Sequence, residues 1–295
     1  MLLEAPAQEP AKAVDSWTGE LERTGYAIIP DLMPPDQVAA LDADLAPAFA
    51  QTPFCDGGFY GARTIRFGRL LARSDRAAAF VRHPLIMALA ERLLGPWCDS
   101  LQLNLTQAIA LHPGALPQLP HRDQDLWRGE TGRIEYLINV MWPFTDYRAE
   151  TGATLVWPGS HGANAAAGPE GGPVVAEMAP GGALVFLGST LHGAGGNHSN
   201  DVRRGMIVSY CLGWLKPYEN QWLAYPPPVA RHFAPDLAAL VGYRQHRPNL
   251  GNYEGNCPSI LLGDDVPEHL AAIDALRPDQ RALVEAHVDE QRRAS

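Results

Sequence analysis

The middle of the sequence consists of short apolar runs separated by glycine, proline, asparagine and aspartate. These runs have the length and composition of β-strands, and they follow one another closely between residues 100 and 214. Strands are predicted at 101–111, 134–144, 153–157, 174–178, 183–187 and 206–214. Runs this short and this evenly punctuated predict an antiparallel sandwich or jelly roll.

Helical periodicity flanks this β region on both sides. Apolar residues at three- and four-residue steps predict helices at 16–24, 34–49 and 77–94, and further helices follow at 265–276 and 278–292. The 295 residues are therefore expected to form one domain, 1–295. Its expected parts are a mostly helical N-terminal part (1–99), a β core (100–225) and a C-terminal helical extension (226–295).

Charge and cysteine usage limit the partners and the compartment. The formal net charge of −10 argues against nucleic-acid or anionic-membrane binding, which both need clustered Lys and Arg. The sequence has neither an apolar stretch of membrane-spanning length nor the features of a signal peptide at its start. The four cysteines are scattered and form no Cys-X-X-Cys pair, as in a reducing compartment. We therefore expect a cytoplasmic protein.

Three candidate metal ligands lie within the β region: His121, Asp123 and His192. Residues two apart on an extended strand point to the same side, so His121 and Asp123 can reach one ion. Two imidazoles and one carboxylate can occupy one face of Fe(II) and leave positions open for a co-substrate and dioxygen. Alternatives for the third ligand are His112, His161 and His198. His192 is preferred because it ends an apolar strand and precedes a glycine-rich turn.

An arginine pair, Arg203 and Arg204, opens the strand that follows His192. A guanidinium binds a carboxylate through two parallel hydrogen bonds, and a 2-oxo acid that chelates iron needs such a partner at its far end. A solvated strand edge is the alternative interpretation of the pair. A shift of one residue in the strand register would exchange the inward-facing arginine.

Several sequence blocks between residues 58 and 225 resemble the phytanoyl-CoA dioxygenase family of Fe(II)/2-oxoglutarate oxygenases. They are Pro-His-Arg-Asp-Gln at 120–124, Glu-Thr-Gly-Ala-Thr at 150–154, Pro-Gly-Ser-His at 158–161 and Leu-His-Gly-Ala-Gly at 191–195 with Arg203 after it. The blocks occur in the family's order, although the family pattern usually has asparagine where Thr151 stands. The stretch 213–221, with 64–66 upstream, resembles the branch that tailors natural products in fungi and bacteria.

This resemblance implies a mainly β protein with flanking helices, built on a double-stranded β-helix, the cupin-like jelly roll. It implies His121, Asp123 and His192 as iron ligands and Fe(II), 2-oxoglutarate and dioxygen as cofactor and co-substrates. Contacts to 2-oxoglutarate would come from Arg203, Gln118 and Thr154. Halogenating relatives lack the carboxylate ligand that Asp123 supplies here. We therefore expect hydroxylation, with desaturation or rearrangement as other outcomes, in secondary metabolism.

The sequence indicates less about the substrate than about the metal site and the co-substrate. Trp127, just after the metal motif, and Phe59 and Arg66 are predicted to line the substrate pocket. Arg66 would share a helical face with Arg69 and Arg73 if that segment were helical. The acidic net charge disfavours an acyl-CoA and favours a small lipophilic metabolite. A cupin-like metal-dependent isomerase or lyase, a non-catalytic binding protein on an oxygenase scaffold, and a homodimer formed through the C-terminal helices are left open.

Overall fold

The computed structural model describes residues 8–169 and 171–294, so residues 1–7 of the predicted helical N-terminal part lie outside the described residues. The helices are α1 (Gln8–Thr24), α2 (Pro35–Gln51), α3 (Ala77–Val81), α4 (Pro84–Leu94), α5 (Gln221–Ala224), α6 (Pro227–Ala230), α7 (Pro235–Leu240) and α8 (Pro278–Ala294). The strands are β1 (Tyr26–Ile29), β2 (Thr64–Phe67), β3 (Leu101–Leu111), β4 (Leu137–Pro143), β5 (Thr154–Val156), β6 (Val174–Ala176), β7 (Ala183–Leu187), β8 (His192–Ala194) and β9 (Arg203–Leu212).

The strands form two antiparallel sheets. The larger has six strands in the order β1-β7-β4-β9-β3-β2, and the smaller has three in the order β6-β5-β8. Most neighbouring strands are not consecutive in the chain, as in a jelly roll, and the exceptions are the pairs β2–β3 and β5–β6. The predicted double-stranded β-helix with flanking helices is confirmed.

Two apolar cores follow from the alternation of side chains along these strands. One face of the six-stranded sheet packs against the helices in the larger core, to which α2 contributes Leu41 and Leu45 and β9 contributes Met206. Ile109 and Phe186, on the other face, belong to a smaller core that also contains residues of the three-stranded sheet. The space between the sheets is therefore apolar, except where polar side chains face into it.

Two helix predictions were wrong. The predicted helix at 77–94 is two helices, because Pro84 forces its predecessor out of the α conformation, and His83 has a ψ of 123°. The segment 265–276 contains no helix, and its apolar side chains Val266 and Ile273 are exposed. A short helix with no buried face gains too little from packing to form.

The segment after β2 also differs from the prediction. Arg66 lies on β2 itself, and Arg69 has a positive φ of 59°, so the two residues do not share a helical face with Arg73. Among the residues that the structure describes, no helix is both long and apolar enough to cross a bilayer.

Candidate metal centre and its cavity

A pair of backbone hydrogen bonds joins His121 to His192. The N–H of His121 donates to the carbonyl of His192 at 2.9 Å, and the N–H of His192 donates to the carbonyl of His121 at 3.0 Å. Facing residues of an antiparallel pair project their side chains from the same face, and the two imidazole centroids are 4.4 Å apart. Strand pairing therefore places the second imidazole beside the first.

Asp123 completes the cluster. Arg122 is extended, with φ −116° and ψ 125°, so His121 and Asp123 point to the same side before a 3₁₀ helix begins. Asp123 Oδ1 lies 3.4 Å from His121 Nε2, and Asp123 Oδ2 lies 3.6 Å from His192 Nε2. The candidate ligand atoms of the three residues lie within 4.8 Å of one another, and no other His, Cys, Asp or Glu of the described chain joins them.

Hydrogen bonds fix which ring nitrogen of each histidine is available. His121 Nδ1 is 2.9 Å from the carbonyl of Leu119, and His192 Nδ1 is 3.0 Å from the carbonyl of Thr190. A carbonyl only accepts, so each Nδ1 carries the hydrogen and each Nε2 presents a lone pair to the cluster. The side-chain amide of Asn139 donates to Asp123 Oδ2 at 2.9 Å and orients the carboxylate.

The protonation states match a metal site. Burial lowers the pKa of His192, which favours the neutral, ligating form. Burial alone would raise the pKa of Asp123, but the facing His192 and His121 side chains bring it below its usual value. Burial also opposes charge on His121, yet Asp123 raises the pKa of that imidazole, so a proton and a metal compete for Nε2. Two nitrogen donors and one carboxylate fit Fe(II) with vacant positions.

The cluster opens into a cavity of about 880 Å³. Its apolar walls include Ile109, Met141, Phe186 and Ile207, and these residues come from strands of the larger sheet. The cavity also contains five further predicted site residues: Arg203, Gln118, Thr154, Arg66 and Phe59.

Arg203 is the arginine that faces this cavity. It is only 2% exposed, and its guanidinium carbon lies 4.3 Å from the centroid of the Tyr147 ring. One Nη donates to the carbonyl of Gly152, whereas Nε has no hydrogen-bond partner among the described residues. Arg204 projects from the other face of β9 and forms an ion pair with Asp42 of α2. Alternation along β9 decides between the two arginines.

The turn that precedes β5 supports Arg203. The N–H of Arg148 donates to the Thr151 hydroxyl at 3.0 Å, so threonine caps the turn where the family pattern usually has asparagine. Gly152 has a φ of 84°, and a Cβ there would lie 2.7 Å from the carbonyl oxygen of Gly195. Only glycine fits this close approach, which presents the Gly152 carbonyl to Arg203.

Gln118 and Thr154 meet across β8. Gln118 is tied to Ala194 through its N–H, which donates to the Ala194 carbonyl at 2.9 Å, and through Oε1, which accepts from the Ala194 N–H at 3.3 Å. Thr154 pairs with the same Ala194 in the smaller sheet. The two residues therefore present polar groups to the cavity from neighbouring chain segments.

Trp127 does not line the cavity, contrary to the prediction. Its indole N–H donates to the carbonyl of Lys216 at 2.8 Å, and its ring lies 4.5 Å from that of Tyr218. The 3₁₀ helix that begins at Asp123 turns Trp127 away and brings Leu126 to the cavity. The alternative ligand His161 contacts the carbonyl of Glu22 and is not part of the cluster.

Further residues, which the sequence patterns did not indicate, hold the ligands in place. Asn139 is a polar residue within the otherwise apolar strand β4, and that contrast could have identified it. The Tyr218 hydroxyl donates to the backbone carbonyl of Asp123. Arg122 donates to the carbonyls of Ser189 at 3.0 Å and Ser160 at 3.2 Å, and it thereby fixes the turn before His192.

The same turn is held by Glu135, whose carboxylate accepts from the N–H of Ser189 at 2.9 Å and from its hydroxyl at 2.6 Å. Burial raises the pKa of Glu135 to about 7, although these hydrogen bonds oppose the shift. Because the folded-state pKa lies above the unfolded value, this group stabilises the fold at low pH. The contribution is lost as the pH rises through about 7.

Glu135→Gln should therefore stabilise the protein at about pH 8, by several degrees in Tm, and change it little at about pH 5. The amide is a neutral isostere that can still accept from the Ser189 N–H and donate to its hydroxyl. Thermal unfolding across this pH range measures the difference. Glu130→Gln, at an exposed site, is the control. An equal Tm difference at both pH values would contradict the expectation.

Comparison with known proteins identifies the family. The phytanoyl-CoA dioxygenase (PhyH) family profile matches residues 21–205. The multifunctional dioxygenase ausE of Aspergillus calidoustus is 30% identical over 293 residues, covering 92% of this chain and 96% of that relative. Dioxygenase cdmD of Talaromyces verruculosus is 33% identical over 196 residues, covering 63% of this chain but only 61% of that relative.

Solved structures share the fold. The α-ketoglutarate-dependent epimerase SnoN from nogalamycin biosynthesis superposes with a TM-score of 0.56 at 21% identity, covering 69% of this chain and 84% of SnoN. HygX from Streptomyces hygroscopicus, with nickel, 2-oxoglutarate and hygromycin B bound, gives 0.54 at 14% identity, covering 69% of this chain and 89% of HygX. The chain belongs to the phytanoyl-CoA dioxygenase family of Fe(II)/2-oxoglutarate-dependent oxygenases.

Proposed function

We propose that this protein hydroxylates a small lipophilic metabolite of secondary metabolism and couples that oxidation to the decarboxylation of 2-oxoglutarate. Fe(II) held by His121, Asp123 and His192 would supply the activation of dioxygen that no side chain can provide. The relatives named above are dioxygenases, and the solved neighbours are described with nogalamycin biosynthesis and with bound hygromycin B. These descriptions favour a small-molecule substrate here.

The observation that carries the proposal is the buried guanidinium of Arg203, which has no carboxylate partner among the described residues. A buried charge needs a partner, and the described ion pairs do not include Arg203. A carboxylate entering the cavity would satisfy its free N–H groups in the planar, two-bond geometry that arginine favours. The distal carboxylate of 2-oxoglutarate fits this role, with Gln118 and Thr154 as further polar contacts.

The other residues of the site orient the metal ligands and exclude water. The hydrogen bonds at both Nδ1 atoms hold the histidine Nε2 atoms toward one point, and Asn139 holds the carboxylate. The apolar walls exclude water, which strengthens the Arg203 interaction and protects the reaction from side products. The residues thus position the reactants, while the chemistry of oxidation belongs to the metal.

The mouth of the cavity supports a lipophilic substrate. Phe59, Tyr60 and Leu126 line it and are 47%, 48% and 71% exposed. Exposed apolar residues grouped around a cavity indicate a binding surface for an apolar ligand. Arg66 adds another cavity-lining guanidinium. Its Nη1 donates to Gln107 at 3.0 Å, and its Nε has no hydrogen-bond partner among the described residues. The variant Arg66→Gln tests which ligand this arginine binds. The KM should rise for that ligand, either 2-oxoglutarate or the metabolite, and stay unchanged for the other.

Anaerobic titration tests the proposal. Fe(II) and then 2-oxoglutarate are added while the visible metal-to-ligand charge-transfer band is recorded. Lipophilic metabolites are then screened for a shift of that band and for coupled succinate formation. A band that saturates with 2-oxoglutarate, and succinate formation that a metabolite stimulates, are expected. Turnover of a metabolite without 2-oxoglutarate would instead indicate a metal-dependent isomerase or lyase.

A further inference from the structure

A row of oxidisable aromatic side chains leads from the candidate metal centre to the surface. Tyr218 lines the cavity, and its hydroxyl donates to the backbone carbonyl of Asp123. The Trp127 ring follows at 4.5 Å from Tyr218, Tyr136 at 6.3 Å from Trp127, and Trp214 at 6.3 Å from Tyr136, all between ring centroids. We call these four residues the aromatic row.

The row ends at the protein surface. Tyr136 is only 5% exposed, whereas Trp214 is 40% exposed and its indole N–H donates to the carbonyl of Trp97. Tyrosine and tryptophan lose one electron far more readily than phenylalanine or aliphatic side chains. Electron transfer rates fall steeply with distance, so rings in near contact exchange electrons faster than one long step could. The row is therefore a continuous path for electrons between the cavity and solvent.

Such a path would serve an oxygenase when substrate is absent. Turnover without substrate consumes 2-oxoglutarate, dioxygen, two electrons and two protons, and it yields succinate, carbon dioxide and water. If no reductant supplies the electrons, side chains at the site are oxidised instead. Ascorbate, the monoanion of an enediol, gives two electrons and one proton, and solvent supplies the second proton. It can deliver the electrons at the surface without entering the cavity.

We propose that the aromatic row conducts electrons from a surface reductant of the ascorbate class to the metal centre during turnover without substrate, and so protects the site. Tyr218 gives up an electron, and its phenolic proton joins the water that forms. Trp127, Tyr136 and Trp214 then pass one electron inward in turn, and each regains the proton that it released when it was oxidised. Ascorbate reduces Trp214, and Tyr218 takes its proton back from solvent through the mouth of the cavity. Two such passages complete each turnover. The inference rests on the proposed oxygenase function.

The experiment maps where oxygen is added to the chain. In one arm the Fe(II)-loaded protein turns over with 2-oxoglutarate and air, without substrate or ascorbate; in the other, hydrogen peroxide replaces 2-oxoglutarate and air. Peptide mass spectrometry should find oxidation at Trp214, which ascorbate suppresses. Trp222 is an internal control, because it is 47% exposed but lies outside the row, and it should stay unmodified. Oxidation of both indoles alike would indicate diffusing radicals and overturn the proposal.

Tyr136→Phe breaks the row while keeping its packing. This variant should lose the oxidation at Trp214, gain oxidation at Trp127 or Tyr218, and survive several-fold fewer turnovers without substrate. Trp222→Phe should behave as the wild type. Unchanged oxidation at Trp214 in Tyr136→Phe, or no oxidation of Trp214 in either arm of the wild type, overturns the proposal. Oxidation of Trp214 in the peroxide arm alone, without succinate in the other, would keep the row and reject 2-oxoglutarate dependence.

Discussion

Asp123→Ala should abolish coupled succinate formation and weaken Fe(II) binding by more than about 100-fold. Loss of a residue that only hydrogen-bonds to a metal ligand already lowers metal affinity by about 10–100-fold. Asp123 is the only anionic member of the cluster and faces both histidine Nε2 atoms. Without it, two neutral imidazoles remain, and they hold a divalent ion weakly. Anaerobic metal titration and a succinate assay measure the two effects.

The apo form of this variant should stay folded. The carboxylate of Asp123 is buried among partners, but its removal leaves Asn139 as the main orphaned group rather than a buried charge. Asp75→Ala, which removes an exposed carboxylate, should bind metal as the wild type does. Full metal affinity in Asp123→Ala with an intact fold would exclude this residue from the centre.

Arg203→Ala should raise the 2-oxoglutarate KM by at least about 30-fold and leave Fe(II) affinity unchanged. A desolvated arginine–carboxylate pair contributes roughly 2–5 kcal/mol, and 1.4 kcal/mol corresponds to a factor of about ten. The side chain is buried in the cavity without a carboxylate partner from the described chain, so its loss should act on the ligand. Charge-transfer titration with 2-oxoglutarate and steady-state succinate assays measure the change.

Arg204→Ala is the matched control, because it removes the same group from the next residue of the same strand. Arg204 forms an ion pair with Asp42, a carboxylate whose pKa is raised by burial despite that arginine. The control should therefore lower Tm, since it leaves Asp42 unpaired, and keep the 2-oxoglutarate KM. The opposite pattern, with a raised KM in Arg204→Ala only, would assign the ligand to the other arginine.

The sequence alone was enough for features that depend on local geometry. Side chains alternate along an extended chain, so His121 and Asp123 point to the same side when Arg122 between them is extended, as it is here. The apolar spacing of α2 and the boundaries of β3 follow from helical and strand periodicity in the same way. Each of these features requires only a few neighbouring residues, so the sequence carries the whole signal.

Only the tertiary structure decided how distant segments meet. The hydrogen-bonded pairing of His121 with His192 places the third ligand, and the register of β9 turns Arg203 inward and Arg204 toward Asp42. The tertiary structure also places Trp127 against Tyr218 in the aromatic row and not in the cavity wall. These outcomes depend on strand pairing and burial summed over residues far apart in the chain, and local periodicity contains no information about them.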